Sequence, residues 1–142
     1  MKTVRELLKG KSFQVLSVSP QTSVFDALEL MAHMDVGALV VLENDVLVGV
    51  FSERDYARKV ILHGKASRDT PVADIMTREL VTVKPGQTVD DCMALMTDRR
   101  VRHLPVLLED RVIGVISIGD VVKEVINEQR FVIEQLENYI HG

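Results

Sequence analysis

Two heptapeptides of the same form, Gly49-Val50-Phe51-Ser52-Glu53-Arg54-Asp55 and Gly114-Val115-Ile116-Ser117-Ile118-Gly119-Asp120, decide the fold of this chain. Each has the pattern G-x-x-S-x-x-D, and the two copies stand 65 residues apart. At this offset residues 18–61 align with residues 83–126 without a gap, and 17 of the 44 aligned positions are identical. Such self-similarity indicates an internal duplication, so one structural unit is predicted to occur twice.

The aligned repeats predict the same order of elements twice. A proline early in each repeat, Pro20 or Pro85, favours a short extended entry, because proline restricts the residue before it. Apolar residues at helical spacing then predict a helix with one buried face, and two β-rich runs around a polar turn predict a hairpin. A second helix closes each repeat. Its predicted buried stripe is Tyr56, Ala57, Val60 and Ile61 in the first repeat and Val121, Val122, Val125 and Ile126 in the second.

The segments outside the repeats also carry helix signals. Thr3 and Glu6 have capping-box spacing, and Thr70-Pro71 supplies an N-cap and a first-turn proline for a short helix through Met76. Residues 121–142 keep a helical pattern to the end of the chain. The predicted organisation is a lead-in helix over 1–14, repeats over 15–62 and 80–126, a linker with a short helix over 63–79, and a C-terminal helical extension over 127–142.

A repeat of about 45 residues has too little core to fold alone, so the two repeats are expected to pack together. The predicted fold class is α/β, of the mixed α+β kind. It consists of two β-α-β-β-α repeats around an approximate two-fold axis, with an N-terminal helix and an extended C-terminal helix. The cleft between the repeats is then the first place to expect a ligand.

Composition narrows the classes of function. With 17 basic and 21 acidic residues the formal charge is -4, so the chain lacks the broad positive field that binding to nucleic acid or an anionic membrane requires. The single cysteine, Cys92, fits a reducing compartment, and with no signal peptide or membrane span in the sequence we expect a cytoplasmic protein. The four histidines, His33, His63, His103 and His141, lack the spacing of a metal site. No nucleophile motif is present, so we expect neither a metal site nor an enzyme.

The duplicated pattern, with each copy ending in G-x-x-S-x-x-D, resembles the cystathionine-β-synthase (CBS) domain pair, also called a Bateman module. The segment Arg102-His103-Leu104-Pro105-Val106 is similar to the family's usual entry to its second strand, and the resemblance covers nearly the whole chain. It implies a regulatory module without catalysis. Such a module binds an adenosine-containing ligand, such as AMP, ADP, ATP, NAD(H) or S-adenosylmethionine, in the cleft between paired repeats. It also implies a homodimer that acts through a separate effector protein.

The resemblance assigns roles to individual residues. It implies that Asp55 and Asp120 accept hydrogen bonds from the two ribose hydroxyls, and that Ser52 and Ser117 contact ribose or phosphate. Free N–H groups at the start of each motif helix are natural donors to phosphate. Apart from the resemblance, packing of the repeats about the expected two-fold axis would let basic groups converge on phosphate: Arg54, Arg100, Arg102 and His103. The expected adenine contacts are Val18, Pro20, Val83, Pro85, Gly49 and Gly114. The glycines are included because a missing β-carbon lets a purine approach the strand.

Two alternatives stay open at this point. S-x-x-D is also the spacing of a helix capping box, and Ser23 with Asp26 and Thr88 with Asp91 have the same spacing and are expected only to cap. The alternative function is therefore a constitutive dimerisation or scaffolding module without a ligand. The basic residues could likewise form a solvated helix end that suits the helix dipole. The apolar stripe of the C-terminal extension needs a cover, most simply a second copy of the chain.

Overall fold

The computed structural model describes residues 2–11 and 15–141 and shows a mixed α/β fold. The elements, in chain order, are helix α1 (Val4–Lys9), strand β1 (Ser17–Val18), helix α2 (Val24–Met34), strands β2 (Ala38–Glu43) and β3 (Val46–Ser52), helix α3 (Glu53–Asp55) with a π-helical continuation (Tyr56–Ile61), a short 3-10 helix (Val72–Asp74), helix α4 (Val89–Arg99), strands β4 (His103–Leu108) and β5 (Arg111–Ser117), and helix α5 (Ile118–His141). The duplicated order of elements and the extended C-terminal helix are as predicted.

The chain divides into two compact units. The repeat-1 unit comprises the described residues of 14–80 and 109–112, and the repeat-2 unit comprises the described residues of 1–13, 81–108 and 113–142. The repeat-1 unit therefore includes the linker that follows its repeat. The repeat-2 unit includes the N-terminal helix, which precedes the other repeat in the chain.

The repeat-1 unit is built on a three-stranded sheet in the order β1-β2-β3, with β1 parallel to β2 and β2 antiparallel to β3. The linker is tied to this unit by main-chain hydrogen bonds: Val24 N–H donates to Thr70 O at 2.8 Å, and Val72 N–H donates to Thr22 O at 2.8 Å. Its core consists of Val24, Ala27, Met31, Leu39, Val41, Phe51, Val60, Val72, Ile75 and Met76.

In the repeat-2 unit, α1 takes the place that the linker has in the repeat-1 unit, and it is likewise joined to its unit by main-chain hydrogen bonds. Val89 N–H donates to Lys2 O at 3.1 Å, and Val4 N–H donates to Gln87 O at 2.8 Å. The predicted capping box of α1 is present, because Thr3 Oγ1 accepts from Glu6 N–H and the Glu6 carboxylate accepts from Thr3 N–H. The core of this unit consists of Val4, Leu8, Val83, Val89, Cys92, Met96, Leu104, Val106, Ile116 and Val121.

The extended entry of the second repeat pairs with its sheet at fewer positions than that of the first. In the repeat-1 unit, β1 and β2 pair at two positions, and Val40 N–H donates to Leu16 O at 3.3 Å. The residue that corresponds to Val40 in the second repeat is Pro105, which has no N–H to donate. Pairing is therefore limited to one parallel bridge between Val83 and Val106, and β4 and β5 form a two-stranded sheet.

Two other local predictions were wrong. The helix of the linker begins only after Pro71, because Pro71 is extended (φ −74°, ψ 151°) and the Thr70 hydroxyl donates to Ala66 O at 2.7 Å instead of capping. The predicted stripe of each closing helix is only partly buried. Val60 and Val121 are buried and Tyr56 and Val125 half-buried, whereas Ala57, Ile61, Val122 and Ile126 are exposed.

Cys92 lies on the buried face of α4, as its helical stripe predicts. Burial, and secondarily the charge of Asp91, raises the pKa of the Cys92 thiol to about 11. The thiol is thus protonated at neutral pH and acts as a core side chain. In the part of the chain that the structure describes, no helix is long and apolar enough to cross a membrane, and no cluster of three or more metal-ligating side chains occurs.

Candidate functional site

The two heptapeptides each form a sharp transition from strand to helix. β3 ends at Ser52 and α3 begins at Glu53, and β5 ends at Ser117 and α5 begins at Ile118. In both, the aspartate reaches back to the main chain: Asp55 Oδ2 accepts from Ser52 N–H at 2.9 Å, and Asp120 Oδ2 accepts from Ser117 N–H at 2.8 Å. The serine hydroxyls accept from the aspartate N–H groups in return. Both motifs therefore form the capping box that their spacing allows.

The first N–H group of each motif helix already has a partner. Glu53 N–H donates to Gly37 O at 3.1 Å, and Ile118 N–H donates to Arg102 O at 2.8 Å. These groups were expected to be free donors for a phosphate. The chain uses these two groups itself, so neither is available to an anion.

Asp55 is enclosed by four donors. Its Oδ2 atom accepts from the N–H and the hydroxyl of Ser52, and its Oδ1 atom accepts from the Thr77 hydroxyl at 2.9 Å and pairs with Lys59 Nζ at 3.0 Å. A carboxylate offers about four lone-pair sites. The side chain is 9% exposed. A ribose hydroxyl could reach Asp55 only after one of these donors had moved.

Asp120 is more accessible and is held by one lysine. Its side chain is 24% exposed, and its Oδ2 atom accepts from Lys11 Nζ at 2.6 Å. Lys11 Nζ also donates to Val115 O at 2.8 Å. Burial alone would raise the pKa of Asp120, but the hydrogen bonds from Lys11 and Ser117 together with the Lys11 charge lower it below its ordinary value. The carboxylate is thus ionised at neutral pH.

The basic residues predicted to bind phosphate do not all lie at Asp120. His103 is half-buried and is the first residue of β4. Burial lowers the pKa of His103, and so do the positive charges of Lys11 and Arg102, whereas the negative charge of Asp120 raises it; the net shift is downward. His103 is therefore neutral at pH 7 and lies in the field of Lys11 and Asp120. Arg100 is exposed in a left-handed conformation at the end of α4, Arg102 is exposed, and Arg54 lies beside Asp55 in α3.

A side chain from the same unit packs closely against each motif glycine. A β-carbon at Gly49 would lie 2.6 Å from Met76 Sδ, and one at Gly114 would lie 2.5 Å from Leu8 Cδ2. Met76 follows the 3-10 helix of the linker and Leu8 belongs to α1. The close approach to the strand that a purine was expected to make is made here by the protein's own core.

The predicted adenine contacts are mostly buried. Pro20, Val83 and Pro85 are buried, and Val18 in β1 is half-buried. Their carbonyl groups also take part in the fold, since Ala73 N–H donates to Pro20 O at 2.9 Å and Arg5 N–H donates to Pro85 O at 3.0 Å. Of these four residues, Val18 retains the most accessible side chain.

Sequence reasoning did not assign three residues that contact the motif aspartates. Lys59 lies one turn after Asp55 in the first repeat, and Lys11 and Thr77 lie outside the aligned repeats, in the segments that complete the two units. A signal was available: at an offset of 68 residues, the apolar positions 4, 7 and 8 of α1 match positions 72, 75 and 76 of the linker. That match would have indicated that both segments take equivalent places.

The comparisons with known proteins agree with this architecture. The CBS domain profile matches residues 4–62 and 72–127, and the chain therefore belongs to the CBS domain family, as a pair of such domains. It is 42% identical to the mitochondrial CBS domain-containing protein CBSX3 of Arabidopsis thaliana, over 99% of this chain and 72% of that protein.

Solved structures show the same fold. A putative signal-transduction protein with CBS domains from Burkholderia ambifaria MC40-6 superimposes with a TM-score of 0.87 at 47% identity, covering 90% of this chain and 96% of that one. The CBS domain protein NE2398 gives a TM-score of 0.85 at 49% identity, covering 88% and 98%. The CBS domain pair of MJ0100, in complex with 5'-methylthioadenosine and S-adenosylmethionine, gives 0.80 at 20% identity, covering 89% and 98%. CBS pairs of this kind are regulatory modules.

Proposed function

We propose that this protein is a regulatory module that binds an adenosine-containing nucleotide, of the AMP, ADP, ATP or NAD(H) class, with the Asp120 carboxylate accepting the ribose hydroxyls. The observation that carries this proposal is an ionised, partly exposed carboxylate at the start of α5, set against a helix end by its own capping box. Two vicinal hydroxyls can donate to one such carboxylate, and charge-assisted hydrogen bonds of this kind are strong.

Of the two motif aspartates, we assign the ribose to Asp120. The four acceptor sites of Asp55 are filled by Ser52, Thr77 and Lys59, and its side chain is the more deeply buried. The Lys11 ammonium at Asp120 lies on a long, flexible side chain that is itself 38% exposed. We therefore expect one nucleotide per chain, bound in the repeat-2 unit.

The likeness of the fold to a ligand-bound CBS domain pair also supports the proposed ligand class. The CBS domain pair of MJ0100 carries two adenosine derivatives in its crystal structure. At 20% identity that likeness extends to the fold, so the step from its ligands to this chain is part of the proposal. Ser117, whose hydroxyl accepts from Asp120 N–H, and His103 at the start of β4 are the further contacts to ribose or phosphate that we propose.

Regulation requires that the ligand bind two states of the protein unequally. Asp120 lies in the first turn of α5, and Lys11 follows α1. Ligand binding at Asp120 would change the contact between these two elements, and an effector protein would read that change. Binding alone, without turnover of the nucleotide, is sufficient for this role.

Thermal unfolding tests the proposal. The protein is melted with AMP, ADP, ATP, NAD, NADH and S-adenosylmethionine, and with the guanine counterparts of the nucleotides as controls. A ligand at about 100 times its dissociation constant adds roughly 2.7 kcal/mol, which raises the Tm of a domain of this size by several degrees. A rise with adenine but not guanine compounds is expected. No rise with any of them, in protein freed of co-purified nucleotide, would contradict the proposal.

A scaffold without a ligand is the second candidate, because all four capping interactions of the two motifs are formed by the protein itself. In that case the aspartates serve only the fold. The same melting experiment separates the two candidates, since a scaffold gives equal Tm values with every compound.

We also propose that the protein is a homodimer held by the second half of α5. From residue 129 onward every described residue of this helix is exposed. Val132, Leu136 and Tyr139 follow one another at spacings of four and three residues, which places them on one face. An apolar face of this length needs a partner, and a second copy supplies a matching one.

The assembly is tested by light scattering after gel filtration. Wild-type protein is expected at twice the chain mass, and the Val132→Glu, Leu136→Glu double variant at the mass of one chain, because it places two charges on the apolar face. Arg130→Glu changes an exposed charge on the same helix and is the control. A single-chain mass for the wild type, or a dimer in the double variant, would contradict this assignment.

The buried thiol of Cys92 fits a reducing compartment, and we propose that the protein is located in the cytoplasm.

A further inference from the structure

The Lys11 ammonium donates a hydrogen bond to the Asp120 carboxylate, the group that the proposed function assigns to the ribose hydroxyls. Lys11 Nζ is 2.6 Å from Asp120 Oδ2 and 2.8 Å from Val115 O, so it is fixed by one anionic and one neutral acceptor. Its main chain is also fixed, because Lys11 N–H donates to Leu8 O at 3.2 Å at the end of α1. The side chain can therefore swing while the backbone stays in place.

Displacing this ammonium costs the protein a charge-assisted hydrogen bond. A neutral nucleoside offers two hydroxyl donors in exchange, but it leaves the ammonium without an anionic partner. A phosphorylated nucleoside offers the same hydroxyls and also an anion that can accept the released ammonium. The two ligand classes thus differ in whether they supply a new anionic partner for the Lys11 ammonium.

Two described side chains, Lys11 and Ser117, lower the pKa of Asp120, and of these Lys11 is the cation, with its ammonium 2.6 Å from the carboxylate. Half-buried His103 is neutral at pH 7, because burial and the Lys11 and Arg102 charges lower its pKa. The first N–H of α5 is taken by Arg102 O. Lys11 is therefore the group through which the charge of a ligand at Asp120 is sensed.

We propose that Lys11 makes the Asp120 site selective for anionic adenosine compounds, by holding the carboxylate until a phosphate accepts its ammonium. This inference rests on the proposed function and names its ligand class more narrowly: adenosine phosphates are favoured over neutral adenosine and over cationic S-adenosylmethionine.

Calorimetric titration with AMP and with adenosine tests the inference in four proteins. Wild-type protein is expected to bind AMP at least about tenfold more tightly than adenosine, from one charge-assisted contact. In Lys11→Met, AMP is expected to bind about threefold more weakly and adenosine about threefold more tightly, so that the tenfold preference largely disappears. Lys11→Arg keeps the charge and is expected to keep the preference.

Lys2→Met is the matched control, because Lys2 pairs with Glu124 of α5 at 3.2 Å and its loss also removes an ion pair between the N-terminal segment and α5. It should leave the preference unchanged. An AMP-to-adenosine ratio in Lys11→Met equal to that of the wild type overturns the role of Lys11 and leaves the proposed function standing. Binding of neither compound, nor of ADP, ATP, NAD or NADH, to the wild type or to Lys11→Met overturns the proposed function, and this inference with it.

Discussion

Replacement of Asp120 by alanine is expected to weaken the binding of an adenosine nucleotide by at least about a hundredfold. The change removes the acceptor of two ribose hydroxyls, and each hydrogen bond to a charged group contributes about 1.5–3 kcal/mol. It also removes one cap of α5, which should cost roughly 1 kcal/mol of folding free energy. Calorimetric titration measures the affinity, and thermal melting measures the stability.

Asp91→Ala is the matched control for that variant. Asp91 forms the same reciprocal capping box with Thr88 at the start of α4, at 3.0 and 3.2 Å, but it is exposed and no ligand role is proposed for it. Both variants lose a capping bond, and Asp120→Ala should lose somewhat more stability because it also loses the Lys11 ion pair. Only Asp120→Ala should lose binding. If Asp120→Ala bound the nucleotide as the wild type does, the carboxylate would have no part in recognition.

Asp55→Ala is expected to have the largest effect on stability, a loss of about 3 kcal/mol in the free energy of unfolding. The variant leaves Ser52 N–H, the Thr77 hydroxyl and the Lys59 ammonium without the acceptor that they share. For a chain of this size the Tm should fall by roughly 10 °C. Nucleotide affinity at Asp120 should not change, because Asp55 belongs to the other unit.

Asp26→Ala provides the comparison within the same repeat. Asp26 is exposed at the start of α2, where its N–H donates to Ser23 Oγ at 3.1 Å. That bond survives the substitution, so a loss of less than about 1 kcal/mol is expected. Equal losses in Asp26→Ala and Asp55→Ala would show that the enclosure of Asp55 adds nothing to stability.

Much of the fold follows from the 65-residue repeat. Because side chains at matched positions repeat, the helix that begins near Val24 and the helix that begins near Val89 could be inferred from each other. Even the shortened strand at Val83 has a local cause, since Pro105 stands where Val40 donates its N–H. Capping at the motif helices could also be predicted, because the bond between residues i and i+3 depends only on local spacing.

The contacts that distinguish the two aspartates could not be predicted in the same way. Lys11 reaches Asp120 across 109 residues of chain and Thr77 reaches Asp55 across 22. Both depend on how a segment outside the repeat packs onto it. The repeats themselves differ beside the motifs, since Lys59 pairs with Asp55 one turn along the helix whereas the matching residue of the second repeat is Glu124. The packed segments add Thr77 to Asp55 and Lys11 to Asp120, and these contacts could not be inferred from the repeat.

Recognition of the ribose by Asp120 is tested most directly by titrating wild-type protein with AMP and with 2'-deoxy-AMP in a calorimeter. Saturable binding of one AMP per chain is expected, with the deoxy compound at least about tenfold weaker because it cannot donate one of the two hydroxyl hydrogen bonds. Equal affinities for the two compounds would show that the ribose hydroxyls take no part in recognition and that Asp120 does not bind them.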